Sequence, residues 1–450
     1  MVFKASGPAP IRVLLGSFAA LIALGTVLLK LPWATPAGQP IGWIDALFTS
    51  TSATCVTGLV VRDTGAGFTG FGQTVILLLI QLGGLGIMSF WLLVFWLMRG
   101  RVSFAFRSVF ERTLSGAVGD RFWPLLRLVF LFALVCEGAG AAALFLRWLP
   151  DHGAGRALWL AVFHSISAFC NAGFGLWSDS LVAYAGDLTV NLVVMALIVL
   201  GGLGFLTVFE LWNLRRGLRV SLHSKLALLT SGALILVGAT AFWLLESGHT
   251  LAAMSPGRQV LASLFQSVTP RTAGFNTVDI GALLPGTLFL LCVLMFVGGS
   301  PGSCAGGIKT TSLAVLALTA WSRFRGGTHV NAFGRTLDAE TATNALAVAA
   351  GGLVVQVVGL FAVLVAQQIG GPDPASQPAL FLASFFETIS ALGTVGLSTG
   401  LTPDLTPAAR MVIILLMFVG RLGPLTVAAA LAVPRPTRDW EYPKEGVMVG

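Results

Sequence analysis

Charge is scarce in this sequence. Asp, Glu, Lys and Arg account for 10% of its 450 residues, against 56% hydrophobic. A soluble globular chain is about one-quarter charged. Only lipid around most of the surface tolerates such a deficit, so a polytopic membrane protein is implied. Cysteine is scarce too. Cys55, Cys136, Cys170, Cys292 and Cys304 all lie in or beside apolar segments, without metal-ligand spacing. No disulfide framework is expected, and Cys55 and Cys170 read as small, weakly polar fillers. No loop or tail is long enough to fold alone, so any nucleotide-sensing or energy-coupling module must come from another chain. Paired intramembrane His and catalytic carboxylate motifs are missing, which argues against a membrane enzyme or a respiratory-complex subunit.

The abundant features are apolar runs and 54 glycines, which suit close helix packing or irregular intramembrane backbone. Eight spans are expected, at 11–31, 72–98, 123–149, 189–214, 222–247, 286–322, 344–369 and 409–432. The first resembles a signal peptide but is long enough to span, and is read as a retained helix. Between members of each pair lies a shorter segment: 43–53, 157–169, 258–268 and 378–391. At about 1.5 Å per residue these reach about half-way across a bilayer. The expected fold is an all-α polytopic membrane protein of four tandem repeats. It has eight transmembrane spans and four re-entrant half-helices in pseudo-fourfold arrangement around one pore. The units are 1–100, 101–220, 221–325 and 326–434, with a tail at 435–450.

The net charge of +8 reports topology rather than nucleic-acid binding. Arg99, Arg101, Arg107, Arg112 and Arg121 follow unit one, and Arg215, Arg216, Arg219 and Lys225 follow unit two. Arg323, Arg325 and Arg335 follow unit three, and the tail holds Arg435, Arg438 and Lys444. The re-entrant sides hold Arg62, Arg156, Arg258, Arg271 and Arg410. Both termini are therefore expected in the cytoplasm, with the half-helices entering from outside.

Each half-helix is rich in Ser and Thr and runs into one glycine. The copies are Phe48 to Gly58, Phe163 to Gly173, Phe265 to Gly274 and Phe386 to Gly396, the third one residue shorter. Glycine adopts φ > 0 readily, so such loops can turn carbonyls inward and replace the water shell of a monovalent cation. The negative helix ends would assist. The candidate donors are Val56, Thr57 and Gly58; Asn171, Ala172 and Gly173; Thr272, Ala273 and Gly274; and Thr394, Val395 and Gly396. A single copy would read equally well as a packing glycine; four at matching places point to a filter. Three of the four lack the second glycine of the four-subunit potassium-channel signature, and only the second copy has one, Gly175 after Phe174, so the filter should be short.

The sixth span is interrupted by Gly298, Gly299, Ser300, Pro301, Gly302, Ser303, Cys304, Ala305, Gly306, Gly307, Ile308 and Lys309. Such a stretch cannot continue a helix, and at membrane depth it belongs beside a cavity. It is slim and mobile enough to serve as a gate. It resembles a phosphate-binding loop but has Ile308 between the last glycine and the lysine, and no soluble strand before it. Ser303 and Cys304 lack a base that would make either a nucleophile. Arg421 and Lys309 are charges in or near apolar spans, where a cavity or partner is expected. Arg421 reads as an electrostatic barrier contacting the gate through carbonyls, or alternatively as a snorkelling side chain. Lys309 is placed at the gate's cytoplasmic hinge. Glu137 is expected packed among small residues and hydrogen-bonded, with a proton relay as the other reading. Glu387 could lend charge near the filter, and Asp45 could serve a helix N-terminus. Trp33, Trp43, Trp148, Trp177 and Trp321 fit interfacial belts.

The four units, with Thr-Cys-Val-Thr-Gly58-Leu, Asn171-Ala-Gly173-Phe, Thr272-Ala-Gly274-Phe and the tail Glu441 to Gly450, resemble the Ktr/Trk/HKT superfamily of potassium transporters. Length and tail look most like its KtrB type of subunit. The resemblance implies that Gly58, Gly173, Gly274 and Gly396 are filter glycines, and that the stretch at 298–310 is a gating loop. Arg421 matches the family's last-span arginine. It also implies a homodimer with a tail contact, seated on an octameric KtrA-like ring that senses ATP and ADP. Potassium is the implied cargo, with sodium as a candidate activator and no organic cofactor. A serine at the first filter position goes with sodium transport in this family, and here that position is Gly58. The expected activity is potassium uptake across the cytoplasmic membrane. The alternative is a sodium or mixed-cation transporter of the same fold.

Overall fold

The computed structural model describes residues 9–97, 122–214, 217, 219–370, 380–424 and 426–427. The first repeat holds helices α1 (Ala9–Lys30), α2 (Trp43–Thr54), α3 (Thr64–Gly67) and α4 (Gly70–Leu97). The second holds α5 (Phe122–His152), α6 (Ala154–Phe169), α7 (Leu188–Gly202) and α8 (Phe205–Trp212). The third holds α9 (Leu222–Glu246), α10 (Pro256–Val268), α11 (Pro285–Phe296) and α12 (Thr310–Phe324). A hairpin, β1 (Asn331–Ala332) and β2 (Arg335–Thr336), precedes the fourth. That repeat holds α13 (Ala339–Gly370), α14 (Leu380–Gly393) and α15 (Pro407–Leu422).

Local chemistry sets several of these starts. The Asp187, Ser221 and Thr406 side chains accept from Val190, Ser224 and Ala409 N–H and cap α7, α9 and α15. Pro256, Pro285 and Pro407 occupy first-turn positions, where a missing N–H costs nothing. Among the described residues, four unbroken helices are long and apolar enough to cross a bilayer: Arg12–Lys30, Leu126–His152, Leu222–Glu246 and Ala339–Gly370. They are the first span of each repeat. Their outer faces expose large apolar side chains such as Leu131, Leu236 and Phe361, as lipid contact requires.

One joint recurs in all four repeats and ties half-helix to first span. The hydroxyls of Ser50, Ser165 and Ser267 each donate at 2.7 Å to a first-span carbonyl, of Ile22, Glu137 and Ile235 respectively. One turn on, Gly25, Gly140 and Gly238 meet the same serines, and also Leu79, Leu197 and Leu294 of the second span. In the fourth repeat Gln356 Nε2 donates to Thr388 Oγ1 at 2.8 Å, and Gly359 meets Leu416. A side chain at these glycines would push three helices apart.

The structure corrects several expectations. The fourth span is not continuous, because α7 and α8 bend by 105° at Leu203 and Gly204. The eighth is broken at Gly423, which has φ 86°, and helical backbone resumes at Pro424; residues 428–432 of that span lie outside the described residues. Trp148 is fully buried, with ring centroids 5.1 Å from Trp177 and 5.4 Å from His164. That pair fills an aromatic core, whereas Trp33, Trp43 and Trp321 are exposed. Arg271 is buried rather than in an outer loop, and its Nη2 donates to Ser231 Oγ at 2.8 Å. Glu137, by contrast, is buried and hydrogen-bonded as expected: Gln81 donates to both its oxygens at 3.1 and 3.0 Å. The basic clusters from Arg99 to Arg121, Arg215, Arg216 and the tail with Arg435, Arg438 and Lys444 lie outside the described residues.

Candidate functional site

The four half-helices end in loops built by one rule. The N–H groups of Thr57, Ala172 and Val395 donate to carbonyls five residues back, of Ser52, Ser167 and Ser390, at 2.7–2.8 Å. In the third loop Ala273 donates to Thr269, four residues back, at 2.9 Å. The missing residue of that copy is thus absorbed by a tighter closing turn. The Ser and Thr content follows from the same joints. Ser52 and Ser390 hydroxyls accept from the Gly58 and Gly396 N–H at 3.1 and 3.0 Å. Ser167 and Thr269 instead donate to the Phe174 and Phe275 carbonyls at 2.8 and 2.5 Å.

Each loop then alternates in backbone hand. Val56, Asn171, Thr272 and Thr394 have φ between 51° and 68°, and the glycines two residues on have φ between 70° and 96°. Three of those four non-glycines are β-branched, for which positive φ is a genuine outlier. Such strain costs of order 1–3 kcal/mol per residue and persists only where surroundings enforce it. The gain is direction: alternating hand turns successive carbonyls to one side, whereas an extended strand alternates them.

The loops close into a ring in sequence order. A Cβ on Gly58 would lie 2.5 Å from the Ala172 carbonyl oxygen, and one on Gly173 would lie 2.9 Å from that of Ala273. A Cβ on Gly274 would meet the Val395 oxygen, and one on Gly396 the Thr57 oxygen. Each glycine therefore abuts the carbonyl just before the next glycine. Glycine is required twice over, by φ and by space. On one side the ring opens into a vestibule of about 530 Å³, lined by all four glycines and by Asp63, Asp179 and Asp279. Sequence reading missed these acidic residues. Their signal was an Asp five or six residues after three of the glycines.

On the other side lies the interruption of the third repeat. Gly298 N–H donates to the Ile308 carbonyl at 2.9 Å and Thr310 N–H to that of Gly299 at 3.1 Å, pinching residues 298–310 into a loop. Ser300 and Thr310 hydroxyls pair across the neck at 2.9 Å. The loop docks on the bend between α7 and α8. Ser300 and Cys304 N–H donate to Gly202 and Gly201, and the Gly302 carbonyl accepts from Phe205 N–H. Gly306 packs against Thr394 of the fourth glycine loop. Pro301 meets Gly204, Ser303 Oγ donates to the Ser300 carbonyl, and Gly307 has φ 63°.

Arg421 is 4% exposed. Its Nη1 donates to the Cys304 carbonyl at the loop tip, and its Nη2 to the Gly83 carbonyl of α4 at 2.8 Å. The second spans carry matching pairs: Gly83-Gly84, Gly201-Gly202, Gly298-Gly299 and Gly420-Arg421. Gly83, Gly201 and Gly420 each abut a carbonyl of their own half-helix, from Thr54, Phe169 and Leu392. Arg421 thus stands where the other repeats have a second glycine. Lys309 precedes α12, and its Nζ donates to the Ala305 carbonyl at 2.7 Å. A longer bond, at 3.4 Å, runs to the Gly306 carbonyl of the same loop.

Chemically, four carbonyls in a ring, backed by the negative ends of four helices, can exchange places with a cation's hydration shell. The family model described as TrkH, cation transport protein, matches residues 17–440. This chain belongs to the TrkH family. It is 40% identical over 448 residues to the Ktr system potassium uptake protein B of Bacillus subtilis, covering 98% of this chain and 97% of that one. It is 38% identical over 444 residues to the potassium/sodium uptake protein NtpJ of Enterococcus hirae, covering 98% and 97%. The crystal structure of the potassium transporter TrkH from Vibrio parahaemolyticus superposes with a TM-score of 0.77 at 20% identity, covering 95% of this chain and 86% of that one. That likeness carries the fold. The TrkH family is one of cation transporters, not of enzymes.

Proposed function

We propose that this chain is a potassium uptake subunit of the cytoplasmic membrane. Ions pass through the ring of Gly58, Gly173, Gly274 and Gly396 and their preceding carbonyls. The observation that carries this is the closed cycle of contacts, each glycine against the carbonyl before the next. Val56, Asn171, Thr272 and Thr394 hold those carbonyls to one side. Both termini face the cytoplasm, so the vestibule faces out and its aspartates concentrate cations. Influx is driven by the membrane potential, about 2.3 kcal/mol per charge per 100 mV.

The loop at 298–310 is the gate, and Arg421 is its latch and electrostatic barrier. Its guanidinium ties the Cys304 carbonyl of the loop to the Gly83 carbonyl of α4. The chain works as a homodimer on a cytoplasmic, KtrA-like nucleotide-binding ring that moves this latch. The Ktr naming of the Bacillus subtilis relative supports a partnered system. A second reading, a potassium and sodium transporter, is favoured by the relative named for both ions. Proteoliposomes under an imposed potential test the proposal. Potassium accumulation well above that of sodium is expected. Equal uptake of both ions would favour the second reading, and no uptake with or without a partner ring would overturn both.

A further inference from the structure

Every half-helix carries one polar residue directly after its buried phenylalanine: Thr49 after Phe48, His164 after Phe163, Gln266 after Phe265 and Glu387 after Phe386. In three repeats this side chain reaches forward to the outgoing limb of its own loop, three residues past the glycine. His164 Nε2 accepts from the Leu176 N–H at 3.3 Å, while its Nδ1 bonds the Leu160 carbonyl at 2.8 Å. Gln266 Nε2 donates to Thr277 Oγ1 at 3.5 Å. Glu387 Oε1 accepts from the Ser398 hydroxyl and, at 3.2 Å, from the Thr399 N–H. Its Oε2 accepts from Thr402 Oγ1 at 2.7 Å. Thr49 Oγ1 has no partner. All four residues are buried.

The ingoing limb of each loop is held by backbone bonds to its half-helix; the outgoing limb is held by side chains, at its first residue by Ser167 and Thr269 in the second and third loops and further out by the residues just named. We propose that in the second, third and fourth repeats the residue after the phenylalanine is the positioning residue of its filter quarter, and that Glu387 sets the ring's resistance to contraction. This rests on the transport reading above. A carbonyl ring prefers the larger ion only while its oxygens resist closing on the smaller one, or keep their number and field. A buried carboxylate with three donors is the strongest of the four braces, and an intramembrane carboxylate is costly unless it serves a role. Bracing is therefore graded: strongest in the fourth repeat, intermediate in the second, weak in the third and absent in the first.

The test compares potassium and sodium flux in proteoliposomes of the full chain. Glu387→Ala is expected to lower the potassium-to-sodium ratio about tenfold, equivalent to about 1.4 kcal/mol. Glu387→Gln should fall between, since its amide nitrogen would face donors. Thr49→Ala, which removes no bond, should keep the wild-type ratio. A merely structural role would lower the amount of folded protein and leave the ratio unchanged in what remains. If Glu387→Ala does not assemble, Thr402→Val removes one donor and the same ratio decides. Normal wild-type flux with an unchanged ratio in the assembled variants would overturn the brace alone. No potassium flux in the wild type would overturn the transport reading and the brace with it.

Discussion

Arg410 and Asp45 lie 365 residues apart in the chain, yet Arg410 Nη1 sits 2.5 Å from Asp45 Oδ1. The pair joins the start of the last span to the start of the first half-helix. Repeats one and four are not consecutive, so this seam closes the ring by contact alone. Arg410 Nη2 also donates to the Pro403 carbonyl at 2.7 Å.

Loss of that pair should loosen the seam. Both side chains are partly exposed, so a stability loss of about 1 kcal/mol or less is expected for Asp45→Asn or Arg410→Ala. Thermal unfolding in detergent reads this. The double charge swap should recover more than half of the loss; no recovery would mean that packing rather than the ion pair holds the seam.

Gly58→Ser should abolish potassium selectivity. The new Cβ would lie 2.5 Å from the Ala172 oxygen at a φ of 96° that serine rarely adopts. Backbone must shift, and one carbonyl leaves the ring. Flux of each ion, measured separately, should show potassium uptake falling at least tenfold. Uptake equal to wild type would remove this glycine from the path.

Arg421→Ala should free the gate. It removes two bonds from a charged donor, each worth about 1.5–3 kcal/mol. Basal potassium flux without a partner ring should rise about tenfold or more. Arg421→Lys should behave much like it, because an ammonium lacks the planar fork that reaches both carbonyls. Unchanged conduction and unchanged dependence on the partner would sink the latch.

The sulfurs of Cys170 and Cys304 both face Gly84, 2.8 and 3.6 Å from where a Cβ on that glycine would stand. One ends the second half-helix and the other sits on the gate loop. Oxidation to a disulfide by a copper–phenanthroline catalyst with oxygen should therefore staple the loop in place. Flux should fall several-fold and return with a reductant. Mass spectrometry should find the linked peptides, and their absence would separate the two thiols in the working protein.

Much of this molecule was legible in its residues. The eight spans, the four half-helices and their glycines follow from apolar runs and from Gly and Pro placement. The bend at Leu203 and Gly204 was not foreseen, although Gly201-Gly202-Leu-Gly204 marks it. A mid-span glycine can serve packing or a break, and only the loop docked on it selects the break. Trp148 was misplaced for a similar reason. Its apolar ring suits an interface belt equally well until Trp177 and His164 are found against it. Glu387 was legible as a charge near the glycine but not as a brace.

The sequence by itself determined the membrane class, the fourfold unit and the special residues of each loop. Hydropathy, charge placement and positive-φ demand are local properties, set within a few residues. The ring order, the seam between Arg410 and Asp45, and the hold of Arg421 on Cys304 and Gly83 were decided only in three dimensions. Those contacts join residues a hundred or more positions apart, and their partners are mostly backbone carbonyls. Every residue owns a carbonyl, so nothing in the residue type marks which one will be met.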